Sequence, residues 1–183
     1  LKIRKAIFVG HSMGGYVALR AVNLYPERIE ALILANTRAD ADSNEAKTKR
    51  FKQIDSLINN GLETFATALA EGLLSEKYKK NFPDKIKLLS TSINKQSASG
   101  LCANLIAMAA RHNANDFLAD IKCPVLIITG DSDKVIPHEE GQKMHDKITG
   151  ATLVKIENCG HLSNQEQPEL FIKAVNDFVK HVL

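Results

Sequence analysis

The sequence predicts an α/β fold in which a mostly parallel sheet is flanked by helices and interrupted by a helical insertion. Three observations predict it: short apolar runs that end in loops, amphipathic stretches that alternate with those runs, and a long central segment without strand-like runs. The chain has 183 residues, of which 44% are hydrophobic, and this is enough to bury one sizeable core. We therefore expect a single domain.

The first forty residues predict a βαβ unit. Ala6–Val9 is a continuous apolar run, which is typical of a parallel strand buried on both faces, and Ala31–Ala35 repeats the pattern. Between them, apolar residues recur at helical spacing from Met13 to about Tyr25, and Pro26 ends the helix. The two strands are therefore expected to pair in parallel through a right-handed crossover.

The strand pattern disappears over residues 40–115, which are predicted to form a helical cap over one end of the sheet. Core segments 1–39 and 116–183 flank this insertion. Gly61 and Pro83 are among the residues that separate its helices. The predicted helices lie near Asn44–Asn59, Glu63–Leu74, Asp84–Ile93 and Ser99–Ala110.

The alternating pattern resumes after the cap. Pro124–Thr129 is an apolar strand, and a helix is predicted near His138–Ile148. Thr152–Ile156 forms the next strand, and a closing helix runs from Pro168 to about Lys180. The last two strands are thus expected to extend the same parallel sheet.

A nucleophile motif lies between the first strand and the first helix. Gly10-His11-Ser12-Met13-Gly14 matches G-x-S-x-G in the strand-turn-helix context that this motif requires. We expect a turn so sharp that side chains at Gly10 and Gly14 would collide, with the Ser12 hydroxyl projecting from the strand end. Since a serine hydroxyl is a weak nucleophile at neutral pH, it needs a base and a carboxylate that orients the base.

Two later loops supply a carboxylate and a base. Gly130-Asp131-Ser132-Asp133 follows one strand, and Asn158-Cys159-Gly160-His161 follows the next. The chain order Ser, Asp, His is the one expected for a nucleophile on such a turn. His161 is the predicted base. The acid is Asp133 or Asp131, and the remaining aspartate would cap the turn.

These motifs resemble those of the α/β-hydrolases, especially the branch that contains 3-oxoadipate enol-lactonases and pimeloyl-carrier-protein methyl esterases. Tyr25-Pro26-Glu27-Arg28 and Gly160-His161-Leu162-Ser163, with Glu166 and Pro168, extend the resemblance over nearly the whole chain. The resemblance implies that Asp133, the third residue after the strand-end glycine, is the acid. It also implies that the amide of Met13 is one oxyanion donor. We group His11 with Met13 at the expected oxyanion and substrate-binding site, where we interpret His11 as a residue that packs behind the reacting groups.

The same resemblance implies that further strands and helices precede the nucleophile strand, including the loop that supplies a second oxyanion amide. Leu1-Lys2-Ile3 would then be the end of the preceding helix. We therefore expect the chain to be the C-terminal portion of an α/β-hydrolase fold.

The expected function is hydrolysis of carboxylic esters, thioesters or lactones through an acyl-enzyme on Ser12. Two alternatives stay open, because a fold does not fix a reaction. The same three residues could serve C–C bond hydrolysis, cofactor-free peroxidation or acyl transfer. The chain could also be a hydrolase-like protein that binds a ligand without turnover.

Composition excludes several other classes. The formal net charge of +3 is spread over interspersed signs, so no nucleic-acid surface is expected. Cys102, Cys123 and Cys159 show neither metal nor redox spacing, and we expect no cofactor and no metal. No apolar run reaches bilayer length, so we expect a soluble protein. The expected location is the cytoplasm, which the sequence constrains only weakly, and the expected partner is a small-molecule substrate.

Overall fold

The computed structural model describes residues 3–182 and has an α/β architecture. Its strands are β1 Ala6–His11, β2 Ile29–Ala35, β3 Val125–Gly130 and β4 Thr152–Ile156. Its helices are α1 Met13–Leu24, α2 Asn44–Leu73, α3 Glu76–Asn81, α4 Asp84–Asn94, α5 Ala98–Ala109, α6 His138–Lys147, α7 Ser163–Glu166 and α8 Pro168–Val182. Short 3-10 helices occupy Pro26–Arg28 and Asn115–Asp120.

The four strands form one parallel sheet in the order β1-β2-β3-β4. In β2, Leu32 and Leu34 face a core formed with α1 and α6, whereas Ile33 and Ala35 face a second core formed with α8. Successive strand residues point to opposite faces, so a strand covered by helices on both sides needs apolar residues throughout. This explains the continuous apolar runs and confirms the predicted sheet flanked by helices.

The strand β1 corrects one expectation. The sequence predicts that Ala6–Val9 is buried on both faces, but Val9 is 59% exposed. β1 pairs only with β2 and forms an edge of the sheet within the described chain. An apolar run identifies a strand, but its burial depends on what packs beside it. Of the helix end expected at Leu1-Lys2-Ile3, the first two residues lie outside the described range, and Ile3 is in no helix.

The segment between β2 and β3 is helical, as expected, with two differences in detail. The first two predicted helices are joined in α2, which bends at Gly61, where φ is +81°. The short helix α3, which starts after Ser75, was not expected. Helices α2 and α5 share a separate apolar cluster around Leu57, Phe65 and Leu105.

Both ends of the insertion are joined to each other through one buried carboxylate. Asp42 accepts hydrogen bonds from Arg38, Arg50 and Arg111, and its side chain is fully buried. Arg111, which follows α5, also donates to the carbonyl of Asp40. The cluster therefore closes the neck where the helical segment leaves and rejoins the core.

No helix within residues 3–182 is long and apolar enough to cross a bilayer.

Candidate active site

Ser12 is the single residue between β1 and α1, and its backbone is strained. Its φ of 52° and ψ of −117° lie in a region that side-chain-bearing residues rarely adopt. Three hydrogen bonds hold it there: its amide donates to Ala35 (2.9 Å), while its carbonyl accepts from the amide of Gly15 (2.9 Å) and the hydroxyl of Thr37 (2.8 Å). The neighbouring strand β2 thus fixes the position of the serine.

The close packing of α1 requires glycine at Gly10 and Gly15. The sequence predicts this requirement at Gly10 and Gly14 instead. A Cβ on Gly10 would lie 2.5 Å from the carbonyl oxygen of Gly14, and a Cβ on Gly15 would collide with Thr37. Apart from its chain neighbours and the backbone of its own helix, a Cβ on Gly14 would meet no atom of the described chain within 4 Å. The collision predicted at Gly14 is therefore not found among the described residues, and Gly15 is required for a different contact, that of α1 with Thr37.

His161 lies between the serine and the acid, and it is almost completely buried. Its Nε2 is 2.8 Å from Ser12 Oγ, and its Nδ1 is 2.8 Å from Asp133 Oδ2. Since a carboxylate can only accept, the proton belongs on Nδ1, and the unprotonated Nε2 then accepts from the serine hydroxyl. The three predicted residues therefore form one continuous chain of hydrogen bonds.

The carboxylate of Asp133 is fully buried, and each oxygen has two donors. Oδ1 accepts from the amides of Val135 (2.8 Å) and Ile136 (2.9 Å), while Oδ2 accepts from His161 and from Asn36 Nδ2 (3.1 Å). Burial by itself would raise the pKa of Asp133, but the hydrogen bond and charge of His161, together with those other donors, hold this pKa below its ordinary value. Asp133 is therefore kept as an anion beside the imidazole.

Asp131, the alternative acid, points elsewhere. Its Oδ1 accepts from the amide of Cys159 (3.1 Å) and from the hydroxyl of Ser132 (2.9 Å). It therefore braces the histidine loop through the backbone and has no hydrogen bond with the imidazole.

The thiol of Cys159 is buried, and burial together with the nearby carboxylates raises its pKa to about 12. This thiol is protonated at neutral pH and is a poor nucleophile.

Asn36 is a polar residue of this site that the sequence analysis did not identify. It follows β2 directly, is 1% exposed, and has a left-handed φ of 46°. Its amide contacts the acid loop at Asp133 and the histidine loop at Gly160 and Ser163. A signal was available, because an asparagine at the carboxyl end of a buried parallel strand must lie beside the loops of the neighbouring strands.

Met13 and His11 flank the serine in different ways. Met13 is the first residue of α1, so its amide belongs to the helix-start donors that lack an intrahelical acceptor, at the positive end of the helix dipole. The Nε2 of His11 donates to the carbonyl of His161 (2.7 Å), and the two rings lie 5.2 Å apart. Burial lowers the pKa of His11, so its ring is neutral and packs against the backbone of the histidine loop.

The histidine loop is also bonded to the helical insertion. The amide of His161 donates to the carbonyl of Leu73 (3.1 Å), and the amide of Ser75 donates to Glu166 Oε2 (3.1 Å). Glu166 is 6% exposed, so this second contact is shielded from water. These two hydrogen bonds therefore join the segment between α2 and α3 to the loop that carries the predicted base. Within residues 3–182, no group of three or more His, Cys, Asp or Glu side chains is arranged to hold a metal ion.

Comparison with known proteins agrees with this architecture. Residues 1–168 match the family model described as alpha/beta hydrolase fold. The chain is 31% identical to 3-oxoadipate enol-lactonase 2 of Acinetobacter baylyi, over 98% of this chain and 66% of the relative. The chain therefore spans just under two thirds of the length of this relative.

Two solved structures share the arrangement of strands and helices. A thermophilic esterase from Thermogutta terrifontis superposes with a TM-score of 0.91 at 33% identity, covering 97% of this chain and 65% of the esterase. The enol-lactonase from Burkholderia xenovorans LB400 superposes with a TM-score of 0.88 at 27% identity, covering 98% of this chain and 67% of that protein.

Proposed function

Because the chain belongs to the α/β-hydrolase fold family, we propose that it carries the nucleophile, acid and base of a serine hydrolase that acts on carboxylic esters, thioesters or lactones. The observation that carries the proposal is the hydrogen-bond chain from Ser12 Oγ through His161 to Asp133, with both distances 2.8 Å. The names of the similar enol-lactonase and esterase favour the same substrate class.

In the proposed reaction, His161 Nε2 takes the proton of Ser12 as Oγ attacks the carbonyl carbon of the substrate. The anion of Asp133 stabilises the resulting imidazolium, and the amide of Met13 donates to the oxyanion. Collapse of the tetrahedral species breaks the bond to the leaving group, which receives the proton from His161. The acyl group stays on Ser12 until water, deprotonated by the same imidazole, releases the carboxylic acid.

We further propose that residues 40–115 act as a cap that selects the substrate. The hydrogen bond from the amide of His161 to the carbonyl of Leu73 supports this role, because it brings the end of α2 beside the site, and the apolar cluster gives the segment a core of its own. Chemistry would remain on the strand-end loops, while recognition would lie in the insertion. The proposed ligand is a small molecule, and a cytoplasmic location remains an expectation.

The test compares turnover in the natural protein, including any residues that precede Leu1. Initial rates are measured on an aryl ester, a thioester and a lactone, and the alternatives are assayed as cleavage of a vinylogous diketone and as peracid formation. Ser12→Ala should lower kcat by about 10⁴ to 10⁶. Ser132→Ala is the matched control, since Ser132 is exposed and the one hydrogen bond of its hydroxyl within the described chain is to Asp131.

Turnover of the diketone or peracid formation above ester hydrolysis would favour the alternative chemistry of the same three residues. Absence of turnover on every acyl substrate would favour a ligand-binding protein. Full ester hydrolysis by Ser12→Ala would contradict the proposed mechanism.

A further inference from the structure

We propose that Asn36 is a positioning residue, whose side-chain amide locks the acid Asp133 and the loop of His161 into one arrangement. The proposal rests on the proposed function and goes beyond it, because Asn36 contacts none of the reacting atoms. Its amide joins the ends of three neighbouring strands: Asn36 itself follows β2, while its partners lie in the loops after β3 and β4.

The partners of Asn36 permit only one orientation of its amide. Nδ2 donates to Asp133 Oδ2 (3.1 Å) and to the carbonyl of Gly160 (3.2 Å), neither of which has a proton to give. Oδ1 accepts from the hydroxyl of Ser163 (2.5 Å), which is fully buried. A flipped amide would place its oxygen against two acceptors, so the orientation is fixed by the network itself.

These contacts restrain both ends of the hydrogen bond between the acid and the base. Asn36 supplies the second donor to Oδ2, the same oxygen that accepts from His161 Nδ1. It also anchors the carbonyl of Gly160, the residue immediately before His161. Without the amide, Oδ2 would keep one donor and the histidine loop would lose a side-chain anchor. Both the carboxylate plane and the imidazole position would then loosen.

The backbone of Asn36 is held as firmly as its side chain. Its backbone amide donates to the carbonyl of Ile128 in β3 (2.8 Å). The carbonyl of the preceding residue, Ala35, accepts a hydrogen bond from the backbone amide of Ser12 (2.9 Å). A φ of 46° is a conformation that asparagine tolerates better than most residues. Asn36 therefore lies on a rigid point beside the nucleophile turn, where a small displacement is transmitted to the reacting groups.

The principal variant is Asn36→Gly, because glycine adopts the positive φ without strain while the whole side chain, with its amide, is removed. Ser163→Ala is the matched control: it removes one bond of the same network but leaves both donors of Asn36 in place. Asn36→Gly leaves the buried hydroxyl of Ser163 without an acceptor, which costs stability. The double variant Asn36→Gly/Ser163→Ala removes this hydroxyl as well, so it is the variant to assay if the single variant does not fold. All are made in the natural protein and checked by circular dichroism.

Loss of positioning should lower kcat by about 10- to 100-fold with KM nearly unchanged. Ser163→Ala should retain most of kcat. The downfield proton NMR signal of the His161 Nδ1–H should broaden in the Asn36 variants and persist in Ser163→Ala. An unchanged kcat and NMR signal in the folded Asn36 variants, or a change confined to KM, would overturn the proposal.

Ser12→Ala assayed in parallel separates this inference from the proposed function. If Ser12→Ala is inactive while Asn36→Gly behaves like the wild type, only the positioning role fails. If Ser12→Ala keeps full activity, the proposed function fails first.

Discussion

Replacing the acid by its amide, Asp133→Asn, should abolish most turnover, and the structure dictates the reason. The amides of Val135 and Ile136 point at Oδ1 from 2.8 and 2.9 Å, so the new side chain must keep its oxygen there. Its NH₂ group then takes the place of Oδ2 and faces His161 Nδ1. Because two donors cannot pair, His161 must accept at Nδ1 and carry its proton on Nε2.

An imidazole with its proton on Nε2 cannot take the proton of Ser12, which lies 2.8 Å away. The expected loss in kcat is about 10⁴, equivalent to about 5.4 kcal/mol of barrier height. The new NH₂ group also faces the amide donor of Asn36, which loses a partner. We expect this to lower the free energy of unfolding by about 1–3 kcal/mol.

The assay is kcat on an aryl ester, with the free energy of unfolding from urea titration. Asp131→Asn is the control, because Asp131 contacts the backbone of Cys159 rather than the imidazole, and it should lose far less activity. A larger loss in Asp131→Asn than in Asp133→Asn would refute this assignment of the acid. So would an Asp133→Asn protein whose kcat is within a few-fold of the wild type.

Three further predictions concern pH, the insertion and the sheet edge. Since the pKa of Asp133 is lowered below its ordinary value of 3.8 on folding, its ionisation stabilises the fold above that value and ceases to do so as the pH falls through the folded pKa. The gap between the urea midpoints of the wild type and Asp133→Asn should therefore stay constant near neutral pH and narrow as the pH falls below 3.8. A gap that does not narrow below that pH would contradict this. Exchange of residues 40–115 for the insertion of a relative should change acyl-chain preference while Ser12 still reacts with an active-site probe; an unchanged order of substrates would count against a cap. Val9 is 59% exposed on an edge strand, so the 183-residue chain purified by itself should self-associate. Light scattering should then give a smaller average mass for the Val9→Lys assembly than for the wild-type assembly. A monomeric wild-type chain would exclude that use of the edge.

The sequence was sufficient for features that depend on local pattern. Ile33 lies in β2 and Leu126 in β3, and helices cover both faces of these two strands. The residues before and after them are therefore apolar as well. That arrangement produces an apolar run that is visible without any structure. The proximity of Ser12, Asp133 and His161 was likewise predictable, since each follows a recognisable strand and parallel strands bring their carboxyl ends to one edge; their catalytic roles stay predictions.

Features that depend on distant partners were missed or misjudged. Asn36 bonds to residues 97 and 127 positions away, so its role depends on how three loops meet. The exposure of Val9 depends on which strands pair with β1. The space for a side chain at Gly14 depends on the path of α1. Helix α3, Glu76–Asn81, has six residues, which is too short to show a helical period.

The most direct test of the central claim is the site of reaction with a fluorophosphonate, located by mass spectrometry of the natural protein. The probe needs a serine whose proton can be taken by a neighbouring base, and Ser12 with His161 at 2.8 Å meets that requirement. We predict one adduct, on the peptide that carries Ser12, which is lost in Ser12→Ala and forms much more slowly in His161→Ala. An adduct on another residue, or labelling that persists in Ser12→Ala, would contradict the account.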